Sequence, residues 1–293
     1  RLLRRRNFPV ESLTILARSE REEEIDGERY PVKTASADAF DGVDLAFFAG
    51  TEGSKGASQT FGWEAVKRGC TVIDNGDDFR MDPRVPLVVP EVNPQALDRH
   101  RGFIANPNCS TIIALMALGP LHRAAGLRRV VACTYQAVSG SGSAAVRELE
   151  AQARAWAEGA SAEPSAYAHP IAFNVLPKIG SVKDASGATS EELKLERETR
   201  KILEDDSLLV SSTCVRVPVF NGHSEALHVA LRRPLSADRA RDLLSQAEGV
   251  TVVDDVDADV YPMPLDCSGR EDVLVGRIRP DASCENGLML FVA

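Results

Sequence analysis

The sequence predicts an α/β protein with two parts, a parallel α/β sheet followed by an α+β region. Two short apolar runs, residues 13–17 and 45–49, are closed by polar residues or glycine and read as strands buried on both faces. Between Gly56 and Gly69 the side chains Phe61, Ala65 and Val66 fall at helical spacing, and residues 71–74 follow as a strand, giving the order strand, helix, strand. Beyond Asn108 strands outnumber helices and long connections separate them. The boundary is therefore placed there, with one domain over 1–108 and a second over 109–293.

In the second part the pattern predicts helices over 110–125, 143–158, 190–205 and 237–247. Strands are expected over 129–135, 209–219, 226–231, 272–278 and 287–292, with a Ser, Ala and Pro-rich loop over 159–170. The acidic run 20–24 reads as a solvated loop. Residues 1–6 read as the tail of a helix already under way, and the last strand runs to the final residue, so the chain is expected to be a fragment of a slightly longer protein.

The chain has 293 residues, enough for two domains at roughly 150 each. Lys plus Arg is 34 against 43 for Asp plus Glu, a net charge of −9, which disfavours nucleic acid as a partner. The six cysteines show no C-x-x-C and no histidine at metal-ligand spacing, which points to a reduced compartment and no metal. The longest apolar segment, 112–121, is far shorter than the roughly 18 residues of a membrane helix. No apolar signal segment follows the basic start, and a cytoplasmic location is expected.

Five segments carry residues fit for chemistry. Asn108 is a favoured N-cap before an apolar helix, so Cys109 falls in the first turn among backbone N–H groups. That position is expected to lower the thiol pKa and to supply donors for an oxyanion beside the sulfur. A small apolar cysteine at a helix start remains the alternative. Gln136 ends a strand that enters the turn Ser139-Gly140-Ser141-Gly142, whose N–H groups suit an anion or a cofactor amide, or serve only as a turn. Thr189 and Glu192 fit a capping box, with Glu191 and Lys194 on one helix face, either functional or a surface ion pair. Arg216 lies inside an apolar strand and needs a partner such as a carboxylate, and His223 follows in a glycine turn where an imidazole can act as acid or base. Arg80 lies in the loop after a parallel strand, where it either holds phosphate or pairs with Asp77 or Asp78.

Together these segments resemble one family, aspartate-semialdehyde dehydrogenase. The matching stretches are 6–10, 74–75 with 79–83, 88–93, 106–111, 135–142, 169–174, 191–194 and 216–223, in order along nearly the whole chain. The resemblance implies a Rossmann-like NADP-binding domain, incomplete here, and an α+β catalytic domain of the glyceraldehyde-3-phosphate dehydrogenase type. It implies reversible, phosphate-dependent conversion of aspartate 4-semialdehyde to aspartyl 4-phosphate by a homodimer, on the route to lysine, threonine and methionine. By the same resemblance Cys109 is the nucleophile beside Asn108, and Gln136 orients substrate and acyl intermediate. His223 is the acid/base catalyst, Glu191 receives the substrate amino group, and Arg216 clamps its carboxylate. Arg80 and Lys194 hold phosphate, while Arg18, Ser19, Ser139 and Gly140 belong to the NADP site.

Against the family, the chain is expected to begin after the first strand and glycine-rich loop and to stop before a closing helix. Gly76-Asp77-Asp78 stands where serines and an alanine are common, and Glu22, Glu23 and Glu24 follow the expected 2′-phosphate loop in place of small residues. N-acetyl-glutamyl-phosphate reductase shares the architecture and is the enzymatic alternative; a catalytically silent interaction protein is the other.

Overall fold

The structure, a computed structural model, describes residues 2–49 and 56–293. Arg1, expected within the helix tail, lies outside the described residues. The chain forms two compact units, Arg1–Asp78 with Arg101–Ile104 and Phe79–His100 with Ala105–Ala293.

The first unit contains α1 (Leu2–Arg5), β1 (Ile15–Ala17), β2 (Arg21–Ile25), β3 (Glu28–Thr34), β4 (Leu45–Phe48), α2 (Trp63–Lys67), β5 (Thr71–Asp74) and the start of β6 (Phe103–Ala105). Its described strands form two three-stranded sheets, ordered β1-β3-β2 and β4-β5-β6. The pairs β1 with β3 and β4 with β5 are parallel; the second follows the strand, helix, strand order of the sequence, whereas the pattern does not predict β3.

Two expectations fail here. The acidic run is a strand: β2 pairs antiparallel with β3, and Asp26 and Gly27, both at positive φ, close the hairpin between Ile25 and Glu28. An Asp-Gly pair adopts that turn readily, and the glutamates are tolerated because β2 is an edge strand with exposed positions. The apolar runs, moreover, are not buried on both faces. β1 is only half-buried at the edge of its described sheet, and Phe47 of β4 is 55% exposed between buried Ala46 and Phe48.

The second unit contains α3 (Cys109–Ala125), β7 (Leu127–Gln136), α4 (Ser143–Ala157), α5 (Ser190–Leu203), β8 (Leu209–Arg216), β9 (Ser224–Leu231), α6 (Ala237–Ser245), β10 (Val250–Val252), β11 (Val273–Pro280) and β12 (Gly287–Val292). The six strands form one mixed sheet in the order β10-β11-β12-β9-β7-β8, parallel at β10/β11 and β7/β8 and antiparallel elsewhere. This is the α+β arrangement expected. β8 stops three residues early, at Arg216, and Pro218, which has no N–H to donate, follows close behind.

Helices α3, α5 and α6 pack on one face of the sheet. The strand positions facing them, among them Val130, Ala132, Leu227, Val229, Leu288 and Leu290, are buried. α3 is buried nearly all round, and Leu115, Leu118 and Leu121 lose all solvent contact, each stabilising the fold by about 2 kcal/mol. That burial fixes the helix axis, and the first turn carrying Cys109 is fixed with it.

In the first unit, Gly62 lies against the ring of the fully buried Phe103, and a Cβ there would fall 2.6 Å from it. Gly62→Ala is expected to cost about 1–3 kcal/mol through overpacking, read as a lower thermal midpoint. An unchanged midpoint would show that the ring moves aside freely.

Candidate active site

The site is assembled from three sources in the second unit: the first turn of α3, the first two turns of α5, and the ends of β7, β8 and β9. Asn108 caps α3, its Oδ1 accepting the Ser110 N–H at 2.9 Å, and Cys109 is the first helical residue. Thr189 and Glu192 form the expected capping box and start α5 at Ser190, which places Glu191 and Lys194 on its first turns. In the sheet, Gln136 and Arg216 are register partners at the ends of parallel strands. Tyr135 opposes Ser224, the first residue of β9, so His223, which directly precedes that strand, lies at the end next to Gln136.

Glu191 joins these elements. Its Oε1 accepts from Asn108 Nδ2 at 2.9 Å and from Gln136 Nε2 at 3.0 Å, while Oε2 lies 3.9 Å from Lys194 Nζ. The carboxylate is buried, so this is not a surface ion pair. A second junction is the Ala137 peptide. Its N–H donates to His223 Nδ1 at 3.0 Å and its carbonyl accepts from Arg216 Nη1 at 2.7 Å.

The Ala137 bond fixes the imidazole's tautomer. Because a backbone N–H can only donate, Nδ1 is the acceptor and the ring proton sits on Nε2. Burial, helped by Arg216, lowers the His223 pKa to about 4, so the ring is neutral at physiological pH. In this resting state His223 offers a proton at Nε2 before it can accept one.

Cys109 is exposed, and its Sγ lies 4.0 Å from Asn108 Oδ1. The expected lowering of its pKa is not observed. Protein packed around the sulfur pushes the thiol up, Glu191 adds to the rise, and the Ser110 N–H and Arg216 oppose it without prevailing. The helix start does act in the predicted direction, but desolvation and a nearby carboxylate outweigh it. Cys214, which pairs with Thr134 in the sheet, is buried and pushed up to about 12, mainly by burial, and is inert as a nucleophile.

Arg80 is buried, and its Nη1 donates to Glu198 Oε1 at 3.0 Å, so it is not a surface arginine. Ser139 and Gly140 lie in the turn after β7, tied down by Val138 and Ser139 N–H bonds to the Val219 and Phe220 carbonyls. A Cβ on Gly140 would sit 3.0 Å from both Arg216 Nη1 and His223 Nε2, so a side chain there would crowd both groups. Arg18 and Ser19 are exposed in the bend directly after β1, in the first unit. Among the described residues no group of three metal-ligating side chains gathers, and no helix is long and apolar enough to cross a membrane.

Comparison with known proteins places this geometry. The model of the semialdehyde dehydrogenase NAD-binding domain matches residues 1–100, and that of the semialdehyde dehydrogenase dimerisation domain matches residues 118–293. An aspartate-semialdehyde dehydrogenase from Streptomyces akiyoshiensis is 46% identical, covering 100% of this chain and 88% of its own length. One from Aquifex aeolicus is 45% identical, covering 100% and 87%. The chain belongs to the aspartate-semialdehyde dehydrogenase family. The crystal structure of aspartate semialdehyde dehydrogenase II from Vibrio cholerae, in complex with ASA, superposes with a TM-score of 0.92 at 41% identity over 99% of this chain and 86% of that one. The chain is accordingly an oxidoreductase with a nicotinamide-dinucleotide-binding domain and a dimerisation domain, and the glutamyl-phosphate reductase alternative is not retained.

Sequence reasoning missed three residues of the site. Glu198 and Lys201 continue the stripe begun by Glu191 and Lys194, at steps of three and four on α5, a periodicity that was visible but reads as a solvated face. Glu225 in β9 is fully buried, and neither of its carboxyl oxygens has a hydrogen-bond partner among the described residues. It opposes Thr134 of β7, which in turn pairs with Cys214 of β8, one pleat behind the row formed by Arg216, Gln136 and His223.

Burial first, and Glu191's charge second, push the Glu225 carboxyl well up, so the folded protein keeps a proton that the unfolded chain releases. A raised folded pKa contributes stability below the unfolded value, and this is lost as pH rises toward the folded one. Glu225→Gln is therefore expected to raise the thermal midpoint relative to the parent chain at about pH 8, with the difference vanishing near about pH 4. A variant destabilised equally at both pH values would contradict a neutral carboxyl.

Proposed function

We propose that this chain, as a cytoplasmic homodimer, interconverts aspartate 4-semialdehyde and aspartyl 4-phosphate with NADP and inorganic phosphate, through a thioester on Cys109. The observation that carries the reading is the shared use of Glu191 by Asn108, beside the exposed thiol, and by Gln136, in the row with Arg216 and His223. The family relationship supports it.

An amino acid substrate brings one cation and one anion. Glu191 receives the ammonium group and Arg216, whose buried Nε has no partner among the described residues, clamps the carboxylate. The ammonium cancels the charge that helps keep the Cys109 thiol protonated, so substrate arrival itself lowers the thiol pKa. The thiolate then attacks the aldehyde carbon. His223 Nε2–H donates to the oxygen that becomes an oxyanion, and the first-turn N–H groups of α3 supply further donors. When bound, the nicotinamide supplies the hydride acceptor that takes the thiohemiacetal to an acyl thioester. Gln136, held by Glu191 and by a 3.3 Å bond from Thr134 Oγ1, orients the acyl group. Arg80 and Lys194 hold the phosphate that displaces the sulfur.

For the dinucleotide, the fit rests on two features. Within the second unit the Ser139–Gly140 turn brings backbone close to Arg216 and His223, and within the first unit, taken by itself, Arg18 and Ser19 are exposed after a parallel strand, residue types suited to a ribose 2′-phosphate. The dimer surface is assigned to the sheet face opposite the helices. Val131, Val215, Met289 and Phe291 are half-exposed there, Tyr135 is 39% exposed, and its ring stacks on Phe291 at 6.1 Å.

The test is phosphate-dependent NADP reduction with aspartate semialdehyde. Cys109→Ala is expected to abolish turnover while leaving the thermal midpoint in place, since the exposed side chain adds little packing. Arg216→Lys is expected to raise the aldehyde KM by about tenfold or more over any change in phosphate KM, because lysine cannot reproduce a bidentate clamp. Phosphate-dependent turnover by the alanine variant would remove the nucleophile, and equal effects on both KM values would remove the clamp.

A further inference from the structure

Glu198 has two oxygens and two different clients. Oε1 accepts from Arg80 Nη1 at 3.0 Å, and Oε2 accepts the backbone N–H of Asn108, the residue before the thiol, at 2.7 Å. The side chains of Glu198 and Arg80 retain only 2% and 6% of their solvent exposure. One turn further along α5, Lys201 Nζ donates to the carbonyls of Arg80 at 2.6 Å, Asp82 at 2.9 Å and Val85 at 2.9 Å. An ammonium group has three protons, and all three are spent on fastening the segment that carries Arg80 to this helix.

We propose that Glu198 is a positioning residue that ties the anion-binding guanidinium of Arg80 to the first turn of the nucleophile helix, so that one carboxylate sets both phosphate affinity and thiol placement. The first half rests on the phosphate role given to Arg80 above; the second half stands without it. A buried carboxylate next to a buried guanidinium is stabilised only while each keeps its partner. Glu198 therefore holds Arg80 in one rotamer, with its charge balanced before phosphate arrives, and phosphate meets a guanidinium already aimed. The Asn108 N–H is an orphan donor of the helix start, and its bond to Glu198 fixes the N-cap that also binds Glu191.

An isosteric amide separates the two arms. In Glu198→Gln, Oε1 can still accept from the Asn108 N–H, but Nε2 cannot accept from Arg80. This variant is expected to raise phosphate KM by about tenfold or more while aldehyde KM and the rate of Cys109 alkylation by iodoacetamide stay within about twofold. Glu198→Ala removes both arms and is expected to change the alkylation rate as well, by about fivefold. If Glu198→Gln leaves phosphate KM at the parent value, or raises both KM values equally, Glu198 is only a structural ion pair and the proposal fails. If the parent chain shows no phosphate dependence, the reaction assigned above is wrong; the alkylation contrast between the Gln and Ala variants then decides the nucleophile arm alone, and equal rates reject it. Should Glu198→Gln not fold, Lys201→Met, which loosens the Arg80 segment alone, is expected to raise phosphate KM without altering alkylation, and the reverse pattern rejects the proposal.

Discussion

The site depends on one buried carboxylate oxygen. Glu191 Oε1 holds the side-chain amides of Asn108 and Gln136 together, and through them the start of α3 and the end of β7. A hydrogen bond to a charged acceptor contributes about 1.5–3 kcal/mol, and removing the acceptor would leave two buried amide donors unsatisfied. The cost of holding this charge out of water falls on the thiol, whose pKa it raises. Geometry and electrostatics thus pull in opposite directions in the resting site, and the substrate ammonium proposed for Glu191 would reconcile them.

Three buried glutamates around the site are managed differently. Glu191 is shared by two amides and stands 3.9 Å from Lys194; Glu198 is paired with Arg80 and a backbone N–H; Glu225 has neither, and burial keeps it neutral. The guanidinium groups follow the same logic. Arg80 is fixed by a carboxylate, whereas Arg216 is fixed by a backbone carbonyl, which leaves its charge for an incoming anion.

Much of this was legible in the sequence because it is local. The Asn108 cap, the Thr189 to Glu192 capping box, five of the six strands of the second unit, β10 being the exception, and the seating of Cys109 in a first turn follow from neighbours within four residues. What failed depends on distant partners. The charge run 20–24 hid an Asp26-Gly27 hairpin because its edge strand is stabilised by β3, and the helix-start argument for Cys109 could not count the protein mass and the carboxylate brought in from α5. Glu198 and Lys201 share a stripe that would face water on an isolated helix, and only the packing of residues 80–85 and 108 against α5 turns it inward.

The central claim is that Glu191 organises the site and, until a cation meets it, adds its charge to the burial that keeps the thiol protonated. The most direct measurement is the pH dependence of Cys109 alkylation by iodoacetamide in the parent chain and in Glu191→Gln, whose amide oxygen can still accept from Asn108 and Gln136. The account predicts that the variant's thiol titrates lower than the parent's, with faster alkylation near neutral pH. A thiol pKa that is unchanged or raised in the variant would contradict it.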